Sequence, residues 1–125
     1  MGALLRCIAV CSMTLLGLWP QLAWAHAFPH HSEPKVGGTV AVPPSRVQIW
    51  FDGALEPLFS SIHVQDAHGR RVDTGDGHVN AADPTLLETT VMPLAPGTYH
   101  VVWSVVARDG HRTEGDFTFT LSQKE

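Results

Sequence analysis

The chain has 125 residues, with eight Lys and Arg against twelve Asp and Glu, and a formal net charge of −4. That balance argues against nucleic acid as a partner, whose binders carry basic faces, and the length suits one small domain. Eight histidines stand beside only two cysteines, an excess that points toward metal handling.

Residues 1–25 read as a signal peptide. Arg6 precedes an almost wholly apolar run from Cys7 to Leu18, too short to span a bilayer comfortably. Ala23-Trp24-Ala25 then supplies small residues at −3 and −1 of a cleavage site. Ala25-His26-Ala27 has the same pattern, and a cut there would discard His26. The Ala25 cut is favoured because Ala23 and Ala25 directly follow the apolar core. It leaves one exported domain over 26–125, starting at His26, with seven basic against twelve acidic residues and a net charge of −5. The mature domain is expected to be soluble and exported, and the expected state is a monomer. Cys7 and Cys11 both leave with the leader, which excludes disulfides and thiolate metal sites. Met92 is then the one remaining methionine, too few for a thioether-rich Cu(I) site.

After the leader, His26 to Pro34 is polar and carries two prolines, so an extended arm is predicted. Gly37-Gly38 is a turn and Thr39–Val42 a short strand. Arg46–Phe51 alternates Val47, Ile49 and Phe51 against Arg46, Gln48 and Trp50, the period of a half-buried strand. Leu55–Phe59 is a bend or one helical turn, with Pro57 preventing more. Ser60–Asp66 points Ile62 and Val64 inward, and the Ala67–Arg70 turn leads to a short strand at Arg71–Asp73. Thr74–Pro84 is a long Gly/Asp/Asn loop, and Thr85–Met92 resumes extended structure. Thr98–Ala107 is the strongest strand, with Tyr99, Val101, Trp103 and Val105 on one face. Arg108–Gly115 is a connection, and Asp116–Leu121 the last strand. Seven short extended runs without a convincing helix predict an all-β, Greek-key β-sandwich or small barrel. Leu94-x-Pro96-Gly97-x-Tyr99 fits a tyrosine corner, or simply a core tyrosine.

The chemistry of the chain gathers at two places. An N-terminal histidine offers its α-amine together with a ring nitrogen, and the two can close a chelate ring on a metal. Asp109-Gly110-His111 adds a carboxylate and an imidazole two residues apart, which extended chain would point the same way. Asp76-Gly77-His78 repeats those three residues in the long loop, so spacing alone does not rank the copies. Context favours the second, which is gripped between two strong strands, whereas the first reads as a solvated turn. Combined with His26, Asp109 and His111 give three nitrogens and one oxygen, a set that suits Cu(II), one ion per chain, and that Zn(II) would accept less distinctively. His63, His68 and His100 read as solvated side chains. Trp103 reads as a core anchor, and Trp50 as either packing or partner surface. No Ser or Cys nucleophile has a base beside it, and no pair of carboxylates is framed for glycoside chemistry.

His26 after the leader, Ser32-x-Pro34, Val47-x-Ile49-x-Phe51, Leu55-Glu56-x-x-Phe59-Ser60-x-Ile62-x-Val64 and the run Pro96-Gly97-x-Tyr99 through Asp109-Gly110-His111 to Phe117-x-Phe119 together resemble the CopC family of periplasmic copper-binding proteins. The resemblance implies a seven-stranded immunoglobulin-like barrel that binds Cu(II) in copper resistance, homeostasis or uptake. It implies His26, Asp109 and His111 as ligands and an inner-membrane copper transporter of the CopD type as partner. Where some members add a carboxylate after the second strand, this chain has Gly53 beside Asp52. Where others carry a methionine-rich Cu(I) loop, it has His78 and no methionine. Pro29 replaces a small apolar residue, and His30-His31 are additional. A non-catalytic carrier is the expected function. The alternative is a small copper-dependent oxidase or monooxygenase, since polysaccharide monooxygenases share the N-terminal histidine chelate.

Overall fold

The alternating runs of the sequence become two stacked sheets. The computed structural model describes residues 26–123, and the leader read over 1–25 lies outside the described residues. Eight strands follow in order: β1 (Pro29–Glu33), β2 (Thr39–Val40), β3 (Arg46–Phe51), β4 (Ser61–Gln65), β5 (His78–Val79), β6 (Leu86–Thr90), β7 (Gly97–Val106) and β8 (Arg112–Leu121). A 3₁₀ turn at Pro57–Phe59 separates β3 from β4, and Pro57 confines it to that single turn. One sheet has the order β1-β3-β6-β5 and the other β2-β8-β7-β4. The short β2 runs parallel to β8, and the other pairings are antiparallel. The first five strands alternate between the sheets, and the chain crosses once more between the β5–β6 and β7–β8 hairpins, a Greek-key-like sandwich.

The predicted alternation sets the core. Val47, Ile49 and Phe51 from β3 meet Val101, Trp103 and Val105 from β7 and Phe117 and Phe119 from β8, all buried. Phe51 meets the Trp103 ring edge-on at 5.2 Å, and Tyr99 stacks on Phe119 at 5.4 Å. Such pairs add roughly 0.5–1.5 kcal/mol each beyond the area they bury. The Tyr99 hydroxyl donates to the Ala95 carbonyl four residues upstream, which makes the corner before β7 a tyrosine corner.

Eight strands stand where seven were expected, for three local reasons. The arm is itself a strand, because β1 pairs with β3 despite Pro29 at its start. His78–Val79 pairs with β6 inside what reads as a loop. Arg71–Asp73 contributes only isolated bridges, Arg71 to Gln65 and Asp73 to Val91. β8 also begins at Arg112 rather than Asp116. Arg112-Thr113-Glu114-Gly115 has no apolar alternation, yet it is zipped to β7 residue by residue. Gly115 is required there, since a Cβ would stand 2.5 Å from the Trp103 ring.

Candidate metal centre

The arm before β1 is fixed at one end of the sandwich by three contacts. The Ala27 side chain is fully buried, and its carbonyl accepts a hydrogen bond from Thr113 Oγ1 at 2.9 Å. The Phe28 N–H donates to Asp52 Oδ1 at 2.7 Å, and the Asp52 N–H returns a bond to the Phe28 carbonyl at 2.9 Å. Asp52, just past the end of β3, therefore uses its carboxylate to grip the arm. Thr113, on β8, grips it from the other sheet. The sequence places Asp52 only beside Gly53, where some members of the resembled family add a carboxylate. The clue to its actual role is an acid directly after a strand that the arm pairs with.

The loop between β7 and β8 brings Asp109 and His111 together by a turn, and not by extended chain as expected. Gly110 sits at φ +88°, a left-handed conformation that a residue with a Cβ rarely adopts. Its N–H donates to the Ala107 carbonyl at 2.9 Å, and the Ala107 N–H to the His111 carbonyl at 3.0 Å. Asp109 folds back over this turn. Its Oδ1 accepts the His111 N–H at 2.9 Å, and its Oδ2 lies 3.1 Å from His111 Nδ1. The backbone N–H of His111 is the main reason the Asp109 carboxyl titrates below the ordinary range. The His111 ring and the more distant His26 ring push the same way, against a partial desolvation cost.

These two constructions meet. The His26 and His111 rings lie 4.8 Å apart at 74°, and Phe28 meets the His26 ring edge-on at 5.9 Å. His26, Asp109 and His111 each present a ligand atom, and the three atoms lie within 4.8 Å of one another. Two donors at about 2 Å from one ion stand at most about 4 Å apart. Side-chain movements on the order of an ångström would therefore bring this trio within reach of one ion. Among the described residues no other trio of His, Asp and Glu side chains comes as close. His26 is half-buried while Asp109 and His111 face solvent, so the cluster is reachable from outside.

The other Asp-Gly-His copy is built differently. Asp76 accepts from Thr89 Oγ1 at 3.0 Å, the Thr90 N–H at 2.8 Å and Thr90 Oγ1 at 2.7 Å. These bonds, Thr90's first among them, hold the Asp76 carboxyl far below the usual carboxylate range. His78 is turned away, its Nδ1 on the Asp76 carbonyl at 2.6 Å and its Nε2 3.3 Å from Glu88. Gly77 lacks the positive φ of Gly110 and packs so that a Cβ would stand 2.7 Å from the Ile62 carbonyl. This copy is a fixed corner of the fold, and not the solvated turn the sequence suggested.

The remaining histidines stay apart from the trio. His31 pairs with Glu33 at 3.2 Å and lies 5.0 Å from the Trp50 ring, which makes Trp50 a packing partner on the outer sheet face. His100 meets Asp116 at 2.5 Å, His63 lies 3.9 Å from Asp73, His68 sits in the turn capped by Asp66, and His30 is exposed. Among the described residues no helix is long and apolar enough to cross a membrane.

Comparison with known proteins agrees with this architecture. The chain is 33% identical over 102 residues to Protein YobA of Escherichia coli K12, spanning 78% of this chain and 80% of that one. It is 26% identical over 107 residues to the Copper transport protein CutJ of Bacillus subtilis, 85% of this chain but 20% of that longer protein. The crystal structure of CopC from Methylosinus trichosporium OB3b superposes with a TM-score of 0.70 at 34% identity, covering 80% of this chain and 97% of that one. PcoC, a methionine-rich copper resistance protein of Escherichia coli, superposes with a TM-score of 0.63 at 28% identity, over 78% and 100% of the two chains. The CopC domain profile matches residues 30–122. A two-sheet sandwich with its donors gathered at one end, matched along most of its length in both sequence and structure, thus belongs to the CopC family.

Proposed function

We propose that the protein is an exported, non-catalytic Cu(II) carrier whose ion is held by His26, Asp109 and His111. The convergence of these three side chains within 4.8 Å carries the reading. In this reading, cleavage after Ala25 frees the His26 α-amine, which joins its own ring as a bidentate donor. Three nitrogens and one oxygen then favour Cu(II) among the common divalent ions. Copper as cargo is also supported by two relatives, a copper transport protein and a copper resistance protein. Cleavage after Ala25 is supported by Ala27, which is fully buried and hydrogen-bonded through its carbonyl. A cut after Ala27 would remove a core residue as well as a ligand.

The chain's own residues divide the work. Thr113 and Asp52 hold the arm, the Gly110 turn aims Asp109 and His111, and the exposed side of the cluster leaves room for handover by ligand exchange. The receiving partner in this reading is an inner-membrane copper transporter of the CopD type, and the compartment is the periplasm. The test is intact mass of the exported protein, followed by electron paramagnetic resonance of its Cu(II) form. A mass beginning at His26 and a spectrum with three nitrogen donors are expected. A different first residue, or a spectrum without nitrogen donors, would overturn the assignment.

A further inference from the structure

The Asp-Gly-His copy outside the trio does not leave its histidine alone. His78 on β5 is the direct cross-strand partner of Glu88 on β6, and such partners hold their Cβ atoms about 4.5–5.5 Å apart. Glu88 is a buried carboxylate, its side chain 9% exposed. Its Oε2 accepts from Gln48 Nε2 at 3.0 Å and its Oε1 from Asn80 Nδ2 at 3.1 Å. These two amides fix the carboxylate in place and bring it no charge. Arg46 does carry charge, but it is more than half exposed and stands 3.9 Å off, on Oε2. A buried carboxylate calls for a closer cation than that.

The ring of His78 is set to hold one at Oε1. Its Nδ1 stands 2.6 Å from the Asp76 carbonyl, an acceptor, so Nδ1 carries the proton. In the neutral ring Nε2 is then a lone pair, and it lies 3.3 Å from Glu88 Oε1. Two acceptors so placed take a cation between them, either a proton or a metal ion.

Distance and direction separate those two. A charge-assisted N–H···O bond closes to about 2.7–2.9 Å, whereas here Oε1 sits off the ring N–H axis and no hydrogen bond joins the pair. Two donors sharing a tetrahedral ion, each about 2.0–2.1 Å from it, stand about 3.3–3.4 Å apart. The carbonyl behind Nδ1 is the outer partner that metal-bound histidines usually have. His78 is exposed, so an ion reaches the pair from solvent and water completes its shell.

We propose that His78 Nε2 and Glu88 Oε1 form a second metal site, for a divalent ion of intermediate softness, Zn(II) or Cu(II). It is independent of the His26–Asp109–His111 cluster, and its nitrogen and oxygen donors do not suit Cu(I).

The test titrates Zn(II) into the metal-free exported protein, labelled with ¹⁵N and ¹³C so that each imidazole and the Glu88 carboxyl give their own signals. Zn(II) should shift His78 Nε2 and the Glu88 carboxyl saturably with one shared midpoint, while His78 Nδ1 stays protonated and His68, in its turn, stays in place. In Glu88→Gln the His78 midpoint should move to about tenfold higher Zn(II) or beyond, because a charged donor is lost. A melting curve verifies the fold of that variant, and the shared midpoint in the parent tests the pair without it. An unmoved His78 Nε2, separate midpoints for the two groups, or the same His78 midpoint in folded Glu88→Gln would each overturn the proposal.

Discussion

Thr113 Oγ1 reaches across 86 residues of sequence to the carbonyl of Ala27, at 2.9 Å, and ties the start of the described chain to its last strand. His26 stands one residue before that bond and His111 two residues before Thr113. This hydrogen bond, which involves neither imidazole, thus joins the two segments that carry them. Thr113→Val keeps the shape and removes the donor. It is expected to cost about 1–2 kcal/mol of stability, for a part-buried carbonyl left unsatisfied. Cu(II) affinity should fall roughly tenfold, within the range of outer-shell changes at metal sites. Urea unfolding of the metal-free protein and a competition titration with a Cu(II) chelator read the two effects separately. Unchanged affinity would show that the arm finds its place without this bond.

Asp52 separates a gripping role from a liganding one. Asp52→Asn keeps an oxygen for the Phe28 N–H and should bind Cu(II) nearly as well as the parent, whereas Asp52→Ala loses the grip and should weaken binding by about 10–100-fold. In both variants the copper spectrum should retain the parent's donor set. A changed spectrum in Asp52→Asn would mean that this carboxylate touches the ion.

Adding one glycine ahead of His26 moves the amine out of its chelate ring. Cu(II) affinity should drop by more than the roughly 10–100-fold typical of outer-shell losses, because a direct donor is removed. Chelator competition on the exported, mass-verified protein reads this, and comparable affinity would exclude the amine as a ligand.

The two Asp-Gly-His copies should respond oppositely. Asp109→Ala or His111→Ala should abolish tight Cu(II) binding with little change in melting temperature. Asp76→Ala should leave binding intact and lower the melting temperature by on the order of 5 °C, through lost bonds to Thr89 and Thr90. The folded Asp76 carboxyl titrates below its unfolded value. Its contribution is thus complete above the ordinary carboxylate range near ~3.9 and is lost as pH falls through the folded value. Asp76→Asn should accordingly flatten the acid side of the stability curve below about pH 4. Melting curves between neutral and acid pH check the sign.

Gly110→Ala places a Cβ at φ +88°. A destabilisation of about 1–2 kcal/mol is expected, together with weaker Cu(II) binding as the Asp109–His111 turn distorts. Gly69→Ala, at φ +79° in a turn remote from the trio, is the control: it should lose stability and keep its affinity.

What was legible in the sequence was whatever repeats with the period of a strand. Val47, Ile49 and Phe51, or Tyr99 through Val105, announce both their strand and their buried face because each apolar residue meets the opposite sheet. β1 and the first half of β8 do not, because one face of each borders solvent, and their pairing comes from neighbours and not from composition. The same logic holds at the candidate site. His26, Asp109 and His111 could be named from residue type and spacing together with the family resemblance. Asp52 and Thr113 could not, since an acid and a threonine near strand ends are ordinary until the arm is laid across them. The repeated Asp-Gly-His could be ranked only by context, and the physical difference proved to be the sign of one glycine's φ and three threonine bonds.

Because Ala27 lies sealed inside the sandwich, the folded domain guards the length of its own tail. In the form proposed above, cut after Ala25, an exopeptidase nibbling from the front could reach one residue, and advancing further would mean prying a methyl group out of the interior. In that proposed form, the end left by the leader's removal is the end the folded domain keeps.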